Sequence, residues 1–163
     1  MGAARTDRRP VFCVPRGQAG SLQTGQSGRV RRPLPPIASV VSFIDGINRG
    51  AVERLASLMA ADHRLQVLDE SPLDGKEANV AAWRCYATSF PDYVIYPHRI
   101  VGRDSEVAVL GHTTGSHLHL RDDDESQLVV IWRATVRDGL LTLWQIIEDT
   151  PARREEFGLD AGD

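Results

Sequence analysis

A chain of 163 residues is about one domain long, and 42% hydrophobic with 25% charged residues is the balance of an ordinary globular protein. The net charge of −3 hides an asymmetry: residues 1 to 36 carry Arg5, Arg8, Arg9, Arg16, Arg29, Arg31 and Arg32 against Asp7 alone, which leaves −9 for the rest. An acidic folded part repels phosphate backbones and argues against nucleic acid as a partner. No apolar run reaches the roughly 18–20 residues of a membrane span, which argues against a membrane role.

The basic segment is rich in Gly, Pro, Ser and Gln and has no apolar period, so it buries too little surface to offset its ordering entropy. It is expected to be a disordered tail over 1–36, ahead of a domain at 37–157 and a flexible C-terminus at 158–163. Arg8-Arg9 has no apolar stretch behind it, since Pro10, Pro15 and the polar run from Gly17 interrupt the chain, so an export signal is not expected. Cys13 and Cys85 make no disulfide framework, and a reduced cytoplasm is the expected location.

Ile37, Val40, Val41, Ile44 and Ile47 follow a helical period that begins after Pro35-Pro36 and stops at Asn48-Arg49-Gly50. A second helix is expected from about Ala51 to Ala60, then a strand over His63 to Leu68 and a polar turn containing Ser71, Pro72, Asp74 and Gly75. A third helix, Lys76 to Ser89, gathers Val80, Trp83, Tyr86, Ala87 and Phe90 on one face before Pro91. Strands follow at Tyr93 to Val101 and Val107 to Leu120. The chain then forms a long hairpin from Leu128 to Glu148 about Arg137-Asp138-Gly139, the Asp-Gly pair being a strong hairpin signal. Bulky residues on both faces of that hairpin predict a sheet covered on both sides, by helices within and by a second layer or another subunit without, with a homodimer the expected assembly. The fold class is α+β: a cone-shaped, curved antiparallel sheet wrapped around three helices.

Phe43-Ile44-Asp45, Asn48-Arg49-Gly50, Ala61-Asp62-His63, Asp74-Gly75-Lys76-Glu77, Phe90-Pro91-Asp92-Tyr93 and Trp132-Arg133 through Trp144 to Asp149 stand in an order and spacing that resembles the SnoaL-like branch of the nuclear transport factor 2-like superfamily. The likeness covers about residues 37 to 157. It implies a cystatin-like α+β barrel with an apolar pocket, often dimeric through its sheet, and does not by itself fix an activity. In the isomerases of that superfamily, which are a worked example of carboxylate chemistry, a tyrosine and a protonated acid donate to the substrate. Those positions fall here on Phe43 and on Ile131 or Trp132, which cannot serve, and the base position falls on Val67; Asp69, two residues on with the same strand parity, substitutes only if the strand continues that far and is otherwise a solvated residue at the start of a turn.

Asp149 is the stronger acid/base candidate, since the resemblance places a cyclase carboxylate at the end of the last strand. Between Trp132 and Trp144 it would be desolvated, with a raised pKa suited to proton transfer; the alternative is a strand-end cap or a salt bridge to Arg153 or Arg154. His63 is the second catalytic candidate, and Trp83, Tyr86, Phe90, Trp132 and Trp144 are the candidate pocket lining. His112, His117 and His119 do not share one strand parity, and the acidic run Asp122 to Glu125 reads as a solvated turn, so no metal or other cofactor is expected. The leading expectation is therefore a cofactor-free pocket protein for a polycyclic or aromatic ligand, of cyclase or isomerase type. The rival is a noncatalytic dimeric ligand-binding or assembly module.

Overall fold

The structure, a computed structural model, describes residues 32–160. The expected tail lies outside the described residues up to residue 31. Helices α1 (Pro36–Asn48) and α2 (Val52–Leu58) lead into β1 (Met59–Val67) and the two-residue β2 (Leu73–Asp74). Helix α3 (Lys76–Ser89) follows, then β3 (Val94–Arg103), β4 (Glu106–Thr114), a single turn α4 (Asp122–Glu125), β5 (Val130–Arg137), β6 (Leu140–Glu148) and α5 (Pro151–Phe157). The strands form one sheet in the order β2-β1-β6-β5-β4-β3, antiparallel throughout except where β1 runs parallel to β6.

One sheet face packs against α1, α2 and α3. Val107, Val109, Trp132, Ala134 and Trp144 meet Val40, Phe43, Leu55 and Trp83 in the main core. Polar side chains fix the helices to this face. Asn48, at the end of α1, donates to the Ile95 carbonyl at 3.0 Å and accepts from the Ile95 amide at 2.8 Å. Buried Asn79 donates to the carbonyls of His63, Leu73 and Gly75, locking the start of α3 onto β1 and β2.

Several expected boundaries move. Strand β1 begins at Met59, where the second helix was expected to continue. Strand β4 stops at Thr114 instead of Leu120, because Gly115 turns the chain at φ +69°. A Cβ there would lie 2.3 Å from the Asp92 carbonyl, so only glycine fits. The acidic run is helical, and Glu125 is buried instead of solvated. The hairpin turn is as expected, with Asp138 and Gly139 both at positive φ.

Helix α5 was not expected. Thr150 caps it by accepting from the Arg153 amide, Pro151 opens it, and Gly158 ends it in the left-handed conformation. Phe157 and Leu159 then cover Ala108, Leu110 and Ile131 on the outer sheet face. The boundary expected at 158 falls inside this packing, since Leu159 is buried. At the other end Pro33 and Leu34 lie so close to the hairpin turn that a Cβ on Gly139 would approach the Leu34 amide to 2.9 Å.

Candidate functional site

The α3 period brings Trp83, Tyr86 and Phe90 to one helix face, and the pleat of β5 and β6 turns Trp132 and Trp144 toward them. The rings form a continuous column. Trp132 stacks on Trp144 at 6.3 Å, Trp144 lies 5.2 Å from Phe43, and Phe43 meets Trp83 edge-on at 6.3 Å. Trp83 reaches Tyr86 at 6.1 Å, and Tyr86 touches Phe90 at 4.7 Å and Tyr93 at 5.0 Å. Trp132 and Trp144 thus occupy the interior themselves, each 1% exposed. Where Ile47, Gly50, Trp83, Tyr86, Phe90 and Tyr93 converge, at the C-terminal ends of α1 and α3, the cavity is about 20 Å³. That is room for one water molecule.

His63 sits fully buried on the core face of β1, its ring 5.9 Å from Phe43. Its Nδ1 donates to the Leu141 carbonyl at 2.8 Å, while Nε2 has no partner among the described residues. Burial pushes its pKa below the ordinary histidine value, so it is neutral in the core. Trp132 Nε1 is likewise buried without a partner among the described residues. The neighbouring Asp62 faces outward and pairs with Arg137 at 2.8 Å.

The structure places Asp149 otherwise than expected. The chain leaves the sheet at Glu148, and Asp149 accepts two hydrogen bonds from Arg154, Nε and a terminal nitrogen each at 2.7 Å. The Arg154 guanidinium holds the carboxyl below the usual carboxylate range, the reverse of the raised value expected between two tryptophans. The salt-bridge alternative is the one observed. Asp149 lines an open trough of about 840 Å³ on the outer side of the molecule, together with Leu68, Arg133, Gln145, Ile147 and Phe157. Arg133 points to this outer side too, paired with Glu106.

A polar cluster that the sequence reading did not assemble lies beside the aromatic crevice. The Tyr86 hydroxyl is 3.0 Å from His117 Nδ1 and accepts from the His117 amide at 3.3 Å. Burial raises the Tyr86 pKa to about 12 and lowers that of His117, so both are neutral and the phenol keeps its proton to donate. Behind them Glu125, 1% exposed, accepts from Thr113 Oγ1 at 2.6 Å and from the Ser116 amide at 3.3 Å. His117 was weighed only as a metal ligand with His112 and His119. The described residues contain no group of three or more His, Cys, Asp or Glu placed to hold a metal ion. No described helix is long and apolar enough to cross a membrane.

A curved sheet closed on one face by three helices, with its aromatic column running to the open ends of α1 and α3, defines the nuclear transport factor 2-like class of α+β proteins. Residues 40–144 match the SnoaL-like domain, and the chain belongs to that family. No curated protein matches it in sequence. Among solved structures, an uncharacterised cystatin-fold protein from Novosphingobium aromaticivorans is similar at TM-score 0.62 and 13% identity, over 71% of this chain and 99% of that one. A proposed SnoaL-like polyketide cyclase from Jannaschia sp. CCS1 is similar at TM-score 0.57 and 16% identity, over 84% and 100%. IdmH of Streptomyces antibioticus, a proposed polyketide cyclase, is similar at TM-score 0.55 and 21% identity, over 70% and 91%. Identities this low speak for the fold alone.

Proposed function

We propose that this chain is a noncatalytic SnoaL-like binding module for a small, flat aromatic ligand. The ligand lies across the mouth of this one-water cavity, against the Trp83, Phe90 and Tyr93 rings, and Tyr86 with His117 supplies its polar contact. The observation that carries the reading is the ring-walled crevice with one neutral hydroxyl–imidazole pair at its edge, an arrangement suited to orienting a carbonyl or phenol. The deeper positions are taken by Phe43, Trp132 and Trp144, which leaves no depth for a polycyclic substrate. Similar structures include proposed polyketide cyclases, and such chemistry here would call for a proton-transfer group in the cavity. Asp149 is committed to Arg154 on the outside, and buried His63 has its Nδ1 committed to a backbone carbonyl.

Titration with single-ring and two-ring ketones and phenols, followed by tryptophan fluorescence, tests the proposal. Saturable binding is expected, weakened several-fold in Tyr86→Phe and unaltered in Asp149→Asn, with the ligand recovered unchanged. Turnover of the ligand, or binding lost in Asp149→Asn but kept in Tyr86→Phe, would overturn it.

A second reading, assembly into a homodimer, rests on the outer trough. Phe157 and Leu159 pack over Ala108, Leu110 and Ile131 with Ile147 at the margin of that cluster, while Leu68, Gln145 and Ile147 stay at least partly exposed along the trough.

A further inference from the structure

Strand β3 breaks step where it pairs with β4. The ladder joins Tyr96 to His112 and Pro97 to Gly111, then resumes with Arg99 opposite Leu110, so His98 is left without a place in the register. Pro97 has no amide hydrogen to give to a ladder. Gly111 admits the neighbouring strand so closely that a Cβ there would lie 2.3 Å from the Tyr96 carbonyl oxygen. An extra residue of this kind bends its strand and re-aims a side chain, which is why bulges concentrate beside functional sites.

The side chain re-aimed here is His98, and it meets His112. His98 Nε2 and His112 Nδ1 face each other at 2.6 Å. His112 stands two residues along β4 from Leu110 and so shares its outer face, away from the aromatic crevice. Directly across the ladder the Tyr96 ring lies nearly flat on the His112 imidazole, at 4.9 Å and 17°, and supports its plane. The pair is open to water, His98 being exposed and His112 half-buried. Strand parity separates His112 from His117 and His119, and its partner comes instead from the neighbouring strand.

The geometry points to a two-histidine site for a divalent transition ion, with His98 Nε2 and His112 Nδ1 as its ligands and Cu²⁺ as the ion it fits best. Imidazole suits copper, nickel and zinc, and copper binds nitrogen sites most tightly of the three. The spacing adds a geometric preference. Two nitrogens at about 2.0–2.1 Å from an ion stand about 2.9 Å apart at a right angle and about 3.3 Å apart at the tetrahedral angle. The tetragonal arrangement of Cu²⁺ or Ni²⁺ therefore needs the smaller adjustment of two solvent-facing rings. The hydrogen held between the rings passes through water to the far nitrogen of its own ring, so both imidazoles stay neutral and each presents a lone pair. Two protein ligands leave the remaining positions of the ion to water, which makes the site open and exchangeable.

Titration of the full chain with Cu²⁺, followed by calorimetry and by electron paramagnetic resonance, tests the site. A single ion is expected to bind saturably, to show a tetragonal spectrum with nitrogen splitting, and to raise the thermal midpoint, since an ion that prefers the folded chain stabilises it. Ni²⁺ should bind at the same place more weakly. His98→Ala and His112→Ala should each weaken Cu²⁺ binding by more than roughly tenfold, because the loss of even an outer partner of a metal ligand costs about that much. Both changes fall on the solvent side of the sheet, and melts without metal report that the variants are folded. His119→Ala should keep the ion. Absence of saturable binding, equal affinity in the unaltered protein and in His98→Ala, or binding lost in His119→Ala but kept in His112→Ala would each overturn the assignment.

Discussion

Replacing Asp149 with Asn separates a structural carboxylate from a chemical one. Asp149 and Arg154 share two charge-assisted bonds of 2.7 Å, with the side chains 16% and 36% exposed. An exposed ion pair contributes about 0–1 kcal/mol, whereas a hydrogen bond to a charged group contributes roughly 1.5–3 kcal/mol when sheltered. This pair stands between the two, and Asn retains one acceptor. A loss of about 1 kcal/mol follows, or roughly 2–4 °C in the thermal midpoint for a chain of this size. The pH dependence has a definite sign. Arg154 depresses the folded-state carboxyl, so its contribution is complete above the unfolded value near ~3.9 and disappears as the pH falls through the lower folded value. Thermal melts of both proteins should therefore differ at pH 7 and converge in acid, while ligand titrations coincide. A midpoint that stays the same or rises at pH 7, with ligand binding abolished, would refute the structural assignment and return Asp149 to the site.

Buried His63 is neutral in the fold and charged when unfolded, so stability should decline as the pH drops below about 6.5, and His63→Leu should reduce that slope. His112 and His117 are shifted in the same direction and will leave part of it in place; an unaltered slope in the variant would show that His63 is hydrated. A chain beginning at Arg32 should melt with the full chain, whereas one beginning at Ile37 should melt roughly 2–4 °C lower. The shorter chain loses Pro36 at the helix start and the Pro35 carbonyl that accepts from Ser39, and equal midpoints would show that neither matters. Light scattering at micromolar concentration should report a dimer that Arg133→Glu weakens, and a monomer throughout would mean that α5 and Leu159 suffice to cover the outer face.

The fold was legible wherever a period met a firm stop. Helix α3 was bounded at both residues because Gly75 precedes it and Phe90-Pro91 follows. The hairpin was legible from Asp138-Gly139. Strand β4 was overextended because His117 and His119 imitate strand alternation beyond Gly115, and only the close approach of Asp92 reveals the turn. Helix α5 carried its signals in plain view, Thr150-Pro151 at one end and Gly158 at the other, but the reading had assigned Asp149 to a strand end. Trp83, Tyr86 and Phe90 could be grouped from the helical period alone. The partnership of Tyr86 with His117 could not, since it joins two elements 31 residues apart through a loop of irregular path. The departure of Asp149 from the interior follows from a partner on the next helix, which a strand pattern cannot show.

The ladder between β5 and β6 pairs Thr135 with Leu143 and then Val136 with Leu141, so Thr142 is skipped. That spare residue lets Leu141 and Trp144, of opposite parity, both face the core. It also aims the Leu141 carbonyl at His63, 78 residues away in sequence. A carbonyl can only accept, so it dictates that the imidazole hydrogen resides on Nδ1 and the lone pair on Nε2. If Thr142 instead took its own place in the ladder, strict alternation would turn Leu141 to the outside and release the ring to exchange tautomers. An irregularity in strand length thus specifies where a single proton sits inside the molecule.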